Sequence, residues 1–308
     1  MHAYGPVPSR RLGNSLGVSP IPPKTCSYTC VYCQLGRTSK LQIKRESFFP
    51  KWDILGDIEK VVKKSDPDYI TFVGDGEPAL CKDLGWLIHE TKQRWKIPTA
   101  VITNGSLLWM EEVRQDLMEA DVVLPSLDAG SEEVFKKINR PHKKIKYEQM
   151  LGGMIDFSSE YKGKVWIELM LVRDVNDSEE ALKDIRKNIE LIRYDRAYVN
   201  IPIRPPAESW VQPPSTDRIL RAQELLGKAQ SITNYEKGEF GIEEFSNARS
   251  AILEICLRHP LREEQAKEIE KRFAEEGSGT VNSMIGPELL RTYYRGKTYL
   301  VPKKFVRR

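Results

Sequence analysis

The segment Lys24-Thr25-Cys26-Ser27-Tyr28-Thr29-Cys30-Val31-Tyr32-Cys33-Gln34 places three thiols within eight residues. A loop can wrap an inorganic cluster and turn all three toward it. A four-iron cubane needs four ligands, commonly four cysteines. Cys26, Cys30 and Cys33 would leave one iron open to a small molecule, which is what a catalytic cluster requires. Two other chemistries use close cysteines. A structural zinc site closes its shell with four Cys or His ligands, but the nearest histidines in sequence are His2 and His89, and Cys81 and Cys256 fall in other elements. A redox pair of Cys30 and Cys33 would leave Cys26 without a role.

Further polar groups stand where apolar runs end. After Tyr69–Val73 comes Gly74-Asp75-Gly76-Glu77-Pro78. Its glycines let the backbone approach a ligand, and its exposed carbonyls with the Glu77 carboxylate can hold an ammonium group; an ordinary strand-to-helix turn would read the same way. Thr103-Asn104-Gly105-Ser106 ends another run and is a common turn sequence. In Pro125-Ser126-Leu127-Asp128-Ala129, alternation puts Ser126 and Asp128 on one face, although Asp128 could equally cap a helix starting at Ser131. Glu168 stands among Ile167, Leu169 and Met170, where an unpaired carboxylate is expensive. Glu168, Asn200 and Arg204 are therefore the candidate catalytic groups, and a Glu168–Arg204 ion pair lining the site is the structural alternative.

The elements that must position these groups alternate. Strands are expected at Ser15–Pro20, Tyr69–Val73, Thr99–Thr103, Val122–Leu127, Val165–Val172 and Ala197–Ile203. Helices are expected at Lys51–Lys64, Lys82–Arg94, Met110–Glu119, Tyr147–Ser158, Ser178–Arg193 and Thr216–Gln230, with Asp177 capping the fifth through a box with Glu180. This order implies a parallel sheet with right-handed crossovers, open or closed into a partial barrel, and chemistry at the C-terminal strand ends. Residues 1–230 form this unit and 231–244 a polar connection. In 245–308, helices at Phe245–Leu257, Arg262–Ala274 and Thr280–Ile285 precede a hairpin turning at Arg295-Gly296-Lys297, the order of a winged helix.

Composition narrows the class. With 308 residues, 40% hydrophobic and 30% charged, the chain can bury a sizeable core. No apolar run approaches the ~18 residues of a membrane span, and the first residues lack a secretory core, so a cytoplasmic protein without membrane contact is expected. Net charge is only +4, but residues 136–146 hold six lysines and arginines with no acid, and residues 289–308 hold seven with none. Such patches suit an anionic partner.

Cys-x3-Cys-x2-Cys with Tyr32 before the third cysteine resembles the signature of the radical S-adenosylmethionine (SAM) superfamily. The resemblance implies a partial (β/α)6 TIM-type barrel and a [4Fe-4S] cluster on Cys26, Cys30 and Cys33. SAM would sit on the fourth iron, against Tyr32, Gly74, Asp75, Gly76, Glu77, Asn104, Ser126 and Asp128. It also implies an electron donor such as flavodoxin or ferredoxin, and reductive cleavage of SAM to a 5′-deoxyadenosyl radical. Asp75 departs from the glycine many members carry. Gly5-Pro6-Val7-Pro8-Ser9-Arg10-Arg11-Leu12-Gly13, Asn139-Arg140-Pro141-His142 and Arg204-Pro205-Pro206-Ala207-Glu208 are similar to a group of iron–sulfur oxidoreductases related to the wyosine-base tRNA-modifying enzymes. The chain lacks the second cysteine cluster of the wyosine-forming enzymes, which counts against that synthesis. The basic strip at 136–146 and a winged helix with a basic tail favour RNA or another nucleic acid as the substrate, with a protein substrate as the alternative. An iron- or redox-sensing nucleic-acid-binding regulator is the rival from another class; it would need no SAM-binding strand ends.

Overall fold

The structure is a computed structural model, and it describes residues 1–227, 229–232, 240–243, 245–273 and 279–305. Strands β1 (Ala3–Ser9) and β2 (Gly13–Val18) form an antiparallel hairpin. The short β3 (Thr25–Cys26) pairs with β4 (Lys40–Leu41) and anchors the start of the cysteine loop. Then α1 (Lys51–Val62), β5 (Tyr69–Val73), α2 (Leu84–Trp95), β6 (Thr99–Thr103), α3 (Glu111–Leu117), β7 (Val122–Pro125), α4 (Glu132–Ile138), α5 (Tyr147–Glu160), β8 (Lys164–Met170), α6 (Glu179–Ile189), β9 (Arg196–Asn200), α7 (Thr216–Leu226) and β10 (Ala229–Ile232) follow. The sheet runs β1-β2-β5-β6-β7-β8-β9-β10, parallel throughout except for the β1–β2 pair.

Both faces of this sheet are covered, which is why its strands read as apolar runs. Val101, Val123, Ile167 and Val199 pack outward in the large helix-covered core. Their neighbours Ala100, Val122, Leu124, Trp166 and Tyr198 point the other way and form a second cluster. Leu12, from the turn between the first two strands, and Ile232, from the last strand, meet in that inner cluster. Arg10 also donates Nη1 to the Ile232 carbonyl at 2.8 Å. The two ends of the strand order thus converge over the inner face, and side chains fill it toward the N-terminal strand ends.

The six expected parallel strands are present in the expected order, with two additions. β1 adds an antiparallel edge. β10 takes residues assigned to the end of a helix and the start of the connection. Ala-Gln-Ser-Ile has no strand pattern of its own, and its conformation comes from pairing with β9. The cap of α6 is Ser178, whose hydroxyl accepts from Ala181 N, and not Asp177. Asp177 instead accepts from the Asp174 amide at 2.8 Å, closing the preceding turn.

The C-terminal residues form α8 (Ala248–Arg258), β11 (Leu261–Arg262), α9 (Glu263–Arg272), α10 (Thr280–Met284), β12 (Leu289–Tyr294) and β13 (Lys297–Pro302), with sheet order β11-β13-β12. They bury their own core, including Ile252, Ile255, Leu261, Ile269, Met284 and Leu300. Phe240 and Ile242, from the expected connection, belong to it as well. Of that connection, 233–239 and 244 lie outside the described residues, as do Ala274 of the expected second helix and Arg307 and Arg308 of the basic tail. Among the described residues, no helix is long and apolar enough to cross a membrane.

Candidate active site

At the C-terminal ends of the parallel strands lies a cavity of about 270 Å³. Cys26, Cys30 and Cys33 line it, as do Tyr32, Gly74, Asp75, Gly76, Glu77, Asn104, Ser126 and Arg204. Cys81 and Cys256 are buried elsewhere. Among the described residues, no three His, Cys, Asp or Glu side chains form a ready-made shell for a single metal ion.

The cysteine loop is braced from behind. Thr29 N donates to Asn139 O at 3.1 Å, Val31 N to Ile138 O at 2.9 Å and His142 N to Ser27 O at 2.9 Å. Glu208 N donates to Val31 O at 3.0 Å. The Glu208 carboxylate takes Arg37 through two bonds of 2.8 and 2.9 Å and Arg140 at 2.6 Å. Two side-chain amides touch sulfur: Asn104 Nδ2 lies 3.5 Å from Cys26 Sγ and Asn139 Nδ2 lies 3.6 Å from Cys30 Sγ. Burial, with a smaller contribution from the Glu77 charge, pushes the Cys26 thiol up to about 12, and burial also raises Cys30 and Cys33. Thiols so placed become thiolates against a cationic centre, whose binding releases their protons. Three sulfurs on one wall of a cavity, with amide donors beside two of them, fit an iron–sulfur cluster.

Beside the start of the cysteine loop, Glu77 is held by three donors. Its Oε1 accepts from Thr103 Oγ1 at 2.6 Å and Ala79 N at 2.9 Å, and its Oε2 accepts from Asn104 N at 2.7 Å. Burial still raises its pKa to about 7. A carboxylate offers about four acceptor sites, so Glu77 keeps room for one further donor and gains from a cationic one. The ammonium end of an amino acid meets that requirement. Gly76 is glycine because a Cβ there would lie 1.8 Å from the Thr25 carbonyl oxygen.

The other expected residues fall into two groups. Ser126 reaches the cavity. Asp128 is buried behind it, with Oδ2 accepting from Tyr32 OH at 2.5 Å and Asn139 Nδ2 at 2.7 Å, and Oδ1 from Met170 N at 2.8 Å. Asp128 therefore orients Tyr32 and Asn139, and Ser131 caps α4 itself. Glu168 and Asn200 are buried and do not line the cavity. Glu168 pairs with Arg11 at 2.7 Å, not with Arg204. The β1–β2 turn brings Arg11 to the inner face, whereas Arg204 turns toward the C-terminal unit. Asn200 Oδ1 finds no hydrogen-bond donor among the described residues. Arg204 lines the cavity, donates to Gln34 Oε1 at 2.9 Å and meets His259 Nε2 at 2.5 Å.

Arg11, Asn139, Glu208, Gln34 and Arg258 were not read as site residues from sequence. Four of them carried a signal nonetheless: Arg11, Asn139 and Glu208 lie in the group-specific stretches and Gln34 adjoins Cys33. Arg258 carried none.

Residues 21–185 match the profile of the Radical SAM superfamily. The UPF0026 protein MJ1312 of Methanocaldococcus jannaschii is 38% identical over 307 residues, covering 96% of this chain and 94% of that one. A probable dual-specificity RNA methyltransferase RlmN of a Thermotoga species is 25% identical over 76% of this chain and 66% of its own. The structure of TYW1 with a lysine-pyruvate adduct bound superposes with a TM-score of 0.50 at 19% identity, covering 69% of this chain and 72% of that one, which is a likeness of fold.

Proposed function

The chain belongs to the radical SAM superfamily, whose cofactors are a [4Fe-4S] cluster and SAM, and we propose that it is an oxidoreductase or transferase that reductively cleaves SAM to modify an RNA. One observation carries the enzymatic part: three thiols, the triply hydrogen-bonded Glu77 and Asn104 converge on one cavity at the strand ends. The bound cofactors supply the electron transfer and the hydrogen-abstracting radical; the chain binds, orients and excludes water. Cys26, Cys30 and Cys33 hold the iron. Glu77 takes the amino group of SAM, beside Gly74 to Gly76. Asp128 keeps Tyr32 in place, and the Glu208 brace keeps the loop in register. The cluster's electron comes from a small redox protein such as flavodoxin or ferredoxin. A regulator that only sensed iron would have no use for the Glu77 cup.

The RNA reading is supported by the rim. Tyr294 OH donates to Pro202 O at 2.8 Å, which sets the β12–β13 hairpin beside the cavity wall. Next to it Tyr293 is 75% exposed and Arg295 forms the tip. A bare aromatic beside a cation suits base stacking. Lys136, Lys137, Lys143, Lys144 and Lys146 are exposed on the strip that braces the cysteine loop, and a relative over 76% of this chain is named as an RNA methyltransferase.

Anaerobic reconstitution, dithionite and SAM should yield 5′-deoxyadenosine, and Cys30→Ala should lose both the cluster absorbance and the product. An intact cluster with no cleavage sinks the enzymatic reading. Anaerobic pull-down should recover RNA, with retention weakened by Tyr293→Ala; recovery of a protein substrate alone would overturn the RNA reading.

A further inference from the structure

The last turn of α8, in the other unit, packs against the turn and the loop that line the cavity without lining it itself. Arg258 ends that helix with its side chain only 9% exposed. Its Nε faces Asp75 Oδ2 at 3.5 Å, Nη1 pairs with Glu254 at 2.8 Å, and Nη2 donates to Met1 O at 3.0 Å. The guanidinium lies over the Tyr4 ring, 4.8 Å from its centroid. The Arg258 carbonyl belongs to a helix C-terminus, where carbonyls lack helical partners; it accepts Gln34 Nε2 at 3.1 Å, one residue beyond Cys33. One residue of the C-terminal unit therefore touches both the cysteine loop and the Gly74–Glu77 turn.

Asp75 joins that contact to the cavity. Its carboxylate is 7% exposed and faces Arg258, while its main chain is pinned on the other side. Asp75 N donates to Ser19 Oγ at 3.1 Å, and Asp75 O accepts Lys24 N at 2.5 Å, two residues before Cys26. Glu77 N donates to Thr25 O at 3.1 Å. With Gly76 packed against Thr25 O, the turn and the loop start move as one body. Losing a buried ionic partner leaves the other charge uncompensated and the chain shifts to rehydrate it, which would displace the Glu77 cup.

We propose that Arg258 is a positioning residue for the SAM-facing turn, acting through Asp75, so that docking of the C-terminal unit and binding of SAM are coupled. The inference rests on the reading of Gly74–Glu77 as the SAM site. Coupling is reciprocal: whatever holds α8 in place tightens SAM, and SAM tightens α8. A substrate gripped by the C-terminal unit would thereby favour cofactor binding.

The test uses the full-length, anaerobically reconstituted protein with SAM as the probe. SAM affinity is measured by calorimetry and by the spectral change of the reduced cluster. Arg258→Leu should keep wild-type iron and sulfide content and bind SAM about tenfold more weakly, a change of about 1.4 kcal/mol. Asp75→Gly should weaken binding similarly, and the double variant should be no worse than either single one. SAM should slow amide exchange in α8 of the wild type and not of Arg258→Leu. Unchanged affinity in Arg258→Leu, or additive losses in the double variant, would overturn the proposal. If Arg258→Leu fails to take up the cluster, Asp75→Asn, which removes only the charge, takes its place with the same expectation. A wild type that holds its cluster and binds no SAM sinks the underlying site reading, an outcome distinct from the others.

Discussion

At the scale of single residues, the site separates groups that face the cavity from groups that hold them. Asp128 carries the sequence features of a ligand contact, a carboxylate at a strand end, yet it does not line the cavity, and its two oxygens accept from Tyr32, Asn139 and Met170. Asp128→Ala would strand Tyr32 OH, Asn139 Nδ2 and Met170 N in a buried setting, each costing about 1–3 kcal/mol. The variant should lose about 3 kcal/mol or more of stability in urea titration, and the Cys30 thiol should alkylate faster. A midpoint equal to wild type would show that Asp128 is dispensable to the fold. Glu168 teaches the same point with another partner. A carboxylate in an apolar strand needed a cation, but the cation came from Arg11 in a turn more than a hundred residues earlier.

At the scale of elements, close backbone approach distinguishes glycines that are structural requirements from those that are not. Gly76 has the Thr25 carbonyl where its Cβ would go, whereas Gly56 in α1 has nothing within 4 Å. Gly56→Ala should stabilise the protein by about 0.5–1 kcal/mol, the usual cost of a glycine inside a helix. Gly76→Ala should destabilise it by about 1–3 kcal/mol and lower iron uptake, because the turn and the cysteine loop cannot separate. Denaturant midpoints and iron content read both; a stable, fully loaded Gly76→Ala would mean the contact is not tight. The stretches Asn139–His142 and Arg204–Glu208, legible in the sequence only as resemblances, brace the cysteine loop through its backbone.

At the scale of the whole molecule, the first unit and the C-terminal unit bury separate cores, and they should respond differently to acid. On the surface of the C-terminal unit, hydrogen bonds from Arg291, then Lys267, hold Glu263 down to about 2 against burial. Its folded pKa is depressed, so its contribution is complete above the unfolded value of 4.5 and is lost as pH falls through about 2. Amide exchange in α9 and β12 should therefore accelerate over that window. The stability gap between wild type and Glu263→Gln should close over the same range; a gap that stays constant would show that the pair adds nothing. All six tryptophans lie at or before Trp210, so their fluorescence tracks the first unit and separates the two responses.

The three cysteines, their spacing and their place after an early strand could be read in the chain and pointed to the radical SAM family. So could the β-α rhythm be read, because a strand covered on both faces must be apolar throughout and a helix on its flank must be periodic. Local pattern could not reveal β10, whose residues become a strand only beside β9. Nor could it pair Glu168 with Arg11 or Asp75 with Arg258, since a buried charge states only that it needs a partner and not which one. Those choices were made by the curl of the sheet and the docking of α8, which bring together residues from opposite ends of the chain.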